Sequence, residues 1–164
     1  MKNLFKTILV IIIAFSITEV KAQKSVGAGV AYATNINSIG FNLNGNYVIN
    51  EKWSAAPSFT YFLKKDYVTW MALDLDANYL FSEMENLGSL YAIGGLNMTF
   101  FDINYEFDFG DYHDGGFSGS DFGVNLGIGL IVPAGEKLAI APEIRYTLGG
   151  ANYARVGVKV MLTI

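Results

Sequence analysis

Eight stretches of this chain alternate large apolar residues with small or polar ones at a period of two, and every charge within them falls on the small, polar side. The charged positions are Asp74, Asp76, Asp121, Glu143, Arg145, Arg155 and Lys159. Successive residues of a strand point to opposite faces, so each stretch is expected to be a strand with one greasy face and one face that carries all its ions. A charge turned outward at mid-bilayer costs about 2–4 kcal/mol, so hydrocarbon around the outside enforces this segregation. Within the enclosure, four acids against three bases nearly cancel, as a buried network of ion pairs requires. A soluble lipocalin-like barrel would turn the arrangement inside out. It is disfavoured because the large residues outnumber what an eight-stranded interior holds. The opposite face is rich in Gly, Ala, Ser and Asn, which suits a narrow lumen.

In chain order the apolar faces begin with Val26, Ala28, Val30 and Tyr32, followed by Phe41, Leu43, Tyr47 and Ile49. Trp53, Ala55, Phe59, Tyr61 and Leu63 form the third, and Leu73, Leu75, Ala77, Tyr79 and Phe81 the fourth. The fifth takes the even positions from Leu90 to Phe100, and the sixth takes those from Phe122 to Leu130. Leu138, Ile140, Ile144, Tyr146 and Leu148 precede the last, which runs on even positions from Val156 to Ile164. Turns are expected near 34–38, 50–52, 64–67, 82–88, 101–118, 133–136 and 149–153, and only the segment 101–118 is long. The outward aromatics then form two belts: Tyr47, Trp53, Tyr79 and Phe81 at one rim, and Tyr32, Phe41, Tyr61, Phe100, Phe122 and Tyr146 at the other. Trp70 falls on the inward parity against this trend. Pro57 and Pro142 cannot donate to a ladder, so a bulge or strand end is expected at each.

Within the fifth stretch the pattern changes hands. Up to Phe100 the even positions are apolar. Beyond it the odd positions Phe101, Ile103, Tyr105, Phe107 and Phe109 take over, and Asp102, Asn104, Glu106 and Asp108 occupy the even ones. A continuous strand of this kind has a greasy exterior below Phe100 and an acidic one above it, as for a strand rising out of lipid into water. The period-two start of 101–118 predicts a hairpin projecting above the membrane and turning near 111–116.

The N-terminal residues read as an export signal. Lys2 and Lys6 precede the apolar run Ile8–Ile17, and Val20-Lys21-Ala22 ends in a small residue, so cleavage is expected after Ala22. The chain divides accordingly into a signal peptide, 1–22, and a barrel domain, 23–164. The apolar run is shorter than the ~20 residues of a spanning helix. Of 11 basic and 15 acidic residues, the signal holds three and one, leaving a net charge of −6 that argues against nucleic acid as a partner. There is no cysteine, which excludes a lipid anchor on cysteine, disulfides and a thiolate zinc site.

Strands such as Tyr91-Ala-Ile-Gly-Gly-Leu-Asn97, Asp121-Phe-Gly-Val-Asn-Leu-Gly-Ile-Gly129, Pro142-Glu-Ile-Arg-Tyr146 and the terminal Arg155–Ile164 make the whole 23–164 region resemble the small outer-membrane β-barrel family, of the OmpA-transmembrane and OmpX type. The departure is at the last residue, where the family often carries an aromatic read by the assembly machinery and this chain has Ile164. The resemblance implies an all-β, eight-stranded, antiparallel up-and-down transmembrane barrel in the outer membrane of a diderm bacterium. It also implies outer-membrane lipid and the assembly machinery as partners. Members serve in envelope integrity, adhesion, serum resistance or limited solute passage.

Each candidate site has a chemical and a bland reading. With seven charges turned inward, the lumen is expected to be plugged by salt bridges, a structural polar core; a narrow channel for ions or small solutes is the alternative. The acids Asp102, Glu106, Asp108, Asp111 and Asp114 carry oxygen ligands that suit calcium, but their spacing matches no EF-hand loop, and such carboxylates also keep an exposed strand soluble. His113, with Asp111, Asp114, Ser118 and Ser120 near it, has the residue types of a lipid-modifying hydrolase, yet it falls at a glycine-rich loop tip, where a solvated turn residue is the ordinary reading. No enzyme activity, metal or cofactor is expected. The expected role is structural or interactive, envelope support or adhesion through the 101–120 hairpin to a surface ligand or protein partner. The protein is expected to be monomeric and not an open general porin.

Overall fold

The computed structural model describes residues 24–84, 87–104 and 116–164. The expected signal peptide lies outside the described residues, as do Glu106, Asp108, Asp111, His113 and Asp114.

Eight antiparallel strands follow one another in chain order: β1 (Lys24–Ala33), β2 (Ser38–Val48), β3 (Trp53–Lys65), β4 (Val68–Met84), β5 (Gly88–Asn104), β6 (Gly116–Pro133), β7 (Leu138–Gly149) and β8 (Tyr153–Thr163). Each pairs with its neighbour in sequence, and β8 pairs back onto β1 to close a barrel. The seam is bonded at both ends. Ile164 N–H donates to Lys24 O at 2.9 Å, and Thr34 N–H donates to Ala154 O at 2.9 Å. Closure removes the sheet edge that hydrocarbon does not tolerate.

The register sets the bore. Partners followed once around run from Lys24 through Tyr47, Ala55, Ala77, Gly94, Leu126 and Tyr146 to Ala154, whose seam contact is Thr34, ten residues above the start. With about 3.3 Å per residue and about 4.8 Å between strands, that stagger tilts the strands by about 40° at a backbone radius of about 8 Å. Side chains can fill such a bore.

Alternation behaves as the sequence implies. Leu43, Leu75, Leu96, Leu126, Ile144 and Val158 are exposed on the outer face, and Asn42, Asn44, Ser58, Thr60, Asp74, Asp76, Asn97 and Asn125 are buried in the lumen. The parity switch at Phe100–Phe101 occurs with no break in register: Met71 faces Phe100 and Trp70 faces Phe101 on one side, and Ser120 and Gly119 face them on the other. The β5–β6 ladder continues up to the pair of Asn104 with Gly116, so the base of the expected hairpin is paired strand; its turn lies outside the described residues.

The prolines behave differently from expectation. The β2–β3 ladder skips the pairs around Pro57, and the β6–β7 ladder skips those around Pro142, yet each resumes in the same register. A missing N–H costs two rungs on one side of the strand and no residue is inserted. The register shifts fall elsewhere, between Phe62 and Lys65 and between Leu80 and Ser82. The β3–β4 turn holds Asp66 and Tyr67 at φ of 50° and 66°, the left-handed pair of a tight primed hairpin.

Candidate functional site

The lumen is layered. Midway along it Asp74 receives five hydrogen bonds. Arg155 grips it with both ends of its guanidinium, Nη1 to Oδ2 at 2.7 Å and Nη2 to Oδ1 at 2.8 Å. Ser58 Oγ donates to it at 3.0 Å, and the amides of Asn97 and Asn125 donate at 2.6 and 2.8 Å. Arg145 donates to Asp76 at 2.6 Å, stands 3.7 Å from Asp74 and bonds Glu143 on its own strand. Glu143 also receives Lys159 Nζ at 2.7 Å and the Tyr91 hydroxyl at 2.6 Å. Three acids and three bases are thus joined across β4, β7 and β8, and their charges cancel. The bidentate and charge-assisted bonds are of the strong kind, and breaking a buried pair leaves an uncompensated ion. Hydroxyls and amides tie the remaining lone pairs: Thr147 donates to Asn125 at 2.8 Å, and Thr99 donates to Asn97 at 2.7 Å.

Asp121 stands apart. It has the inward parity expected, but it lies high on β6 beside Gly150, and no ion pair reaches it among the described residues. The other six lumen charges meet. Asp102 sits on β5 above the parity switch, and no group of three metal-binding side chains occurs among the described residues. Ser118 and Ser120 lie on β6, facing Asp102 and Phe100.

Above the ionic layer sits an apolar plug that sequence parity did not expose. Phe62 and Tyr153 are fully buried and meet edge to face at 6.4 Å, with Ala33, Ile36 and Ala72 around them and Trp70 packed alongside. Trp70, the inward exception, is the top of this plug, and its ring continues through Phe101 at 5.3 Å and Phe117 at 6.0 Å along the projecting strands. Tyr153 joins plug to ions: its hydroxyl is 3.0 Å from Thr99 Oγ1, and the Arg155 guanidinium lies 5.5 Å from its ring centre.

Below the ions the lumen opens into a vestibule of about 200 Å³ at the end where β1 begins and β8 finishes. Lys159, Glu143 and Tyr91 form its floor. Two glycines make this floor buildable. A Cβ at Gly129 would strike the Tyr91 ring, and one at Gly95 would strike Asp76, so bulkier residues would push both side chains off their partners.

No protein-family model matches the sequence, and no curated protein matches it. Solved structures do. A major outer membrane protein of Thermus thermophilus superposes with a TM-score of 0.71 at 12% identity over 88% of this chain and 100% of that one. The N-terminal β-barrel domain of Pseudomonas aeruginosa OprF gives 0.65 at 18% identity over 88% and 100%. Ail, the attachment invasion locus protein of Yersinia pestis, gives 0.59 at 19% identity over 87% and 96%. A greasy exterior, a self-neutralised ionic layer in the lumen and a closed ring of eight strands together make this the fold of the small outer-membrane β-barrels.

Proposed function

We propose that the protein is exported and lives in the outer membrane as a closed, non-conducting barrel that presents the β5–β6 hairpin at the cell surface for contact with an external ligand or protein. The expected signal peptide and the apolar outer belt support the location. The start of β1 and the end of β8 then face the periplasm and the parity switch marks the outer water interface. Outer-membrane lipid and the assembly machinery are the partners such a life requires, and the protein works as a monomer. The observation that carries the interactive role is an asymmetry of strand length. β7 stops at Gly149, opposite Gly123, whereas β6 continues up to Gly116, paired among the described residues with β5 alone. The stretch from Gly116 to Asp121 therefore offers backbone groups on its other side, the geometry used in strand addition. Ail, named for attachment and invasion, shares the barrel.

Cysteines placed at Ser118 and at Glu136 test this reading. A membrane-impermeant maleimide on intact cells is expected to label the first and spare the second, and photo-cross-linking from position 118 is expected to capture a surface partner. Labelling of position 136 alone would overturn the orientation. A narrow channel is the second reading, favoured by the vestibule; stable openings in planar bilayers that change when Arg145 or Glu143 is neutralised would support it against a sealed lumen.

A further inference from the structure

We infer that the terminal-end vestibule is a binding site for one neutral, polyhydroxylated molecule of monosaccharide size, a sugar ring or the end of a glycan chain. The inference rests on the proposed orientation only for the side from which such a molecule arrives. Three observations converge. The cavity lies below the ionic layer, with the Lys159–Glu143 pair among its lining residues, at the end where β1 begins and β8 finishes. Its volume of about 200 Å³ is the room of about seven liquid waters. That is enough for one sugar ring.

The chemistry of the wall selects the class. Asn44, Asn46 and Asn78 converge on the cavity with the hydroxyls of Ser25 and Thr163. Asn44 is buried, and its Oδ1 has no hydrogen-bond partner; its amide donates to Asn42 at 2.8 Å. The side chains of Asn46 and Asn78 hold no bond to another described residue. A carboxamide both donates and accepts, as does each hydroxyl of a polyol, so vicinal hydroxyls match this row of amides in a way that a simple ion does not. Charge does not choose the ligand here, because Lys159 is paired with Glu143 and Glu143 also with Arg145. Ile131, Ala139 and Met161 add apolar surface to the lining that fits the C–H face of a ring.

The test uses the full barrel folded in a phosphocholine detergent, which carries no sugar headgroup. Methyl α-D-glucopyranoside serves as the free-sugar probe and a tetramer of β-1,4-linked N-acetylglucosamine as the chain-end probe. Side-chain amide resonances of Asn46 and Asn78 are followed by NMR during titration. The expected result is saturable movement with at least one probe, weakened about tenfold or more in Asn78→Leu and in Asn46→Leu. Neither amide bonds another described residue, so both variants are expected to fold. Saturation with the tetramer alone assigns the site to a glycan end, and saturation with the glucoside alone assigns it to a free sugar. No saturable movement with either probe, or movement unaltered in both variants, overturns the inference. Because binding is read on purified barrel, this failure is distinct from a failure of the surface-labelling experiment.

Discussion

Removing one charge at the centre of the lumen gives the sharpest test of how this barrel is held. Asp74→Asn keeps the shape of the side chain and deletes the anion that Arg155 grips with two bonds. Arg155 is 4% exposed and its Nε has no partner among the described residues, so its burial keeps water from readily replacing the lost anion. Arg145, at 3.7 Å, is a second cation facing the same gap. Breaking a buried pair from one side costs about 3–5 kcal/mol, which shifts the folding equilibrium by at least about a hundredfold. Asp76→Asn is a calibrated comparison. Arg145 keeps Glu143 there, so the loss is that of a single charged hydrogen bond, about 1.5–3 kcal/mol. Adding Arg155→Met to Asp74→Asn removes the stranded cation and is expected to recover most of the loss. Urea titration in phospholipid vesicles measures all four proteins, with Trp53 at the rim and Trp70 in the plug as fluorescence reporters. An Asp74→Asn barrel within about 1 kcal/mol of the parent, or a double variant weaker than the single, would refute the view that this pair is the ionic keystone.

Other perturbations separate the layers. Phe62→Ala hollows the plug and is expected to cost about 3–5 kcal/mol while leaving the barrel non-conducting, since the Arg155–Asp74 layer beneath is untouched; single-channel openings in a planar bilayer would contradict this. Gly129→Ala displaces the Tyr91 ring and is expected to destabilise more than Tyr91→Phe, which loses only the bond to Glu143, about 1 kcal/mol, in the same titration. Leu126→Arg turns a guanidinium outward at the waist and is expected to cost about 2–4 kcal/mol, against about 0–1 kcal/mol for Leu162→Arg near the rim; equal costs would mean that the waist does not meet hydrocarbon.

Strands and closure were legible because lipid outside and ions inside impose one parity rule on every strand, and Asp74, Asp76, Glu143, Arg145, Arg155 and Lys159 all obey it. The rule is blind to apolar residues on the inner parity. Phe62, Tyr91, Ile93 and Tyr153 are buried there, and against the louder outward pattern each reads as noise or as turn. Trp70 was the one hint. Parity placed it inward against the trend, and its ladder partner is Phe62. Asp121 shows the opposite limit: parity gives the face and not the height, and height decides which ions meet. The descending strand from Gly116 to Asp121 was expected only through the hairpin that its partner's alternation implied, because its own glycines and serines carry no alternation to read.

The distribution of charge along the chain bears on how such a cylinder can be assembled. The first four strands bring Asp74 and Asp76 to the network, an excess of two negative charges, and the last two bring Glu143, Arg145, Arg155 and Lys159, an excess of two positive ones. Neither half balances itself, and an unfinished curl of strands carries ions that a bilayer interior rejects. Neutrality arrives with the final strand. Passage into the membrane and zipping of the last strand onto the first are therefore expected to be coupled by electrostatics, with a half-built curl of strands held at the aqueous surface until β8 closes.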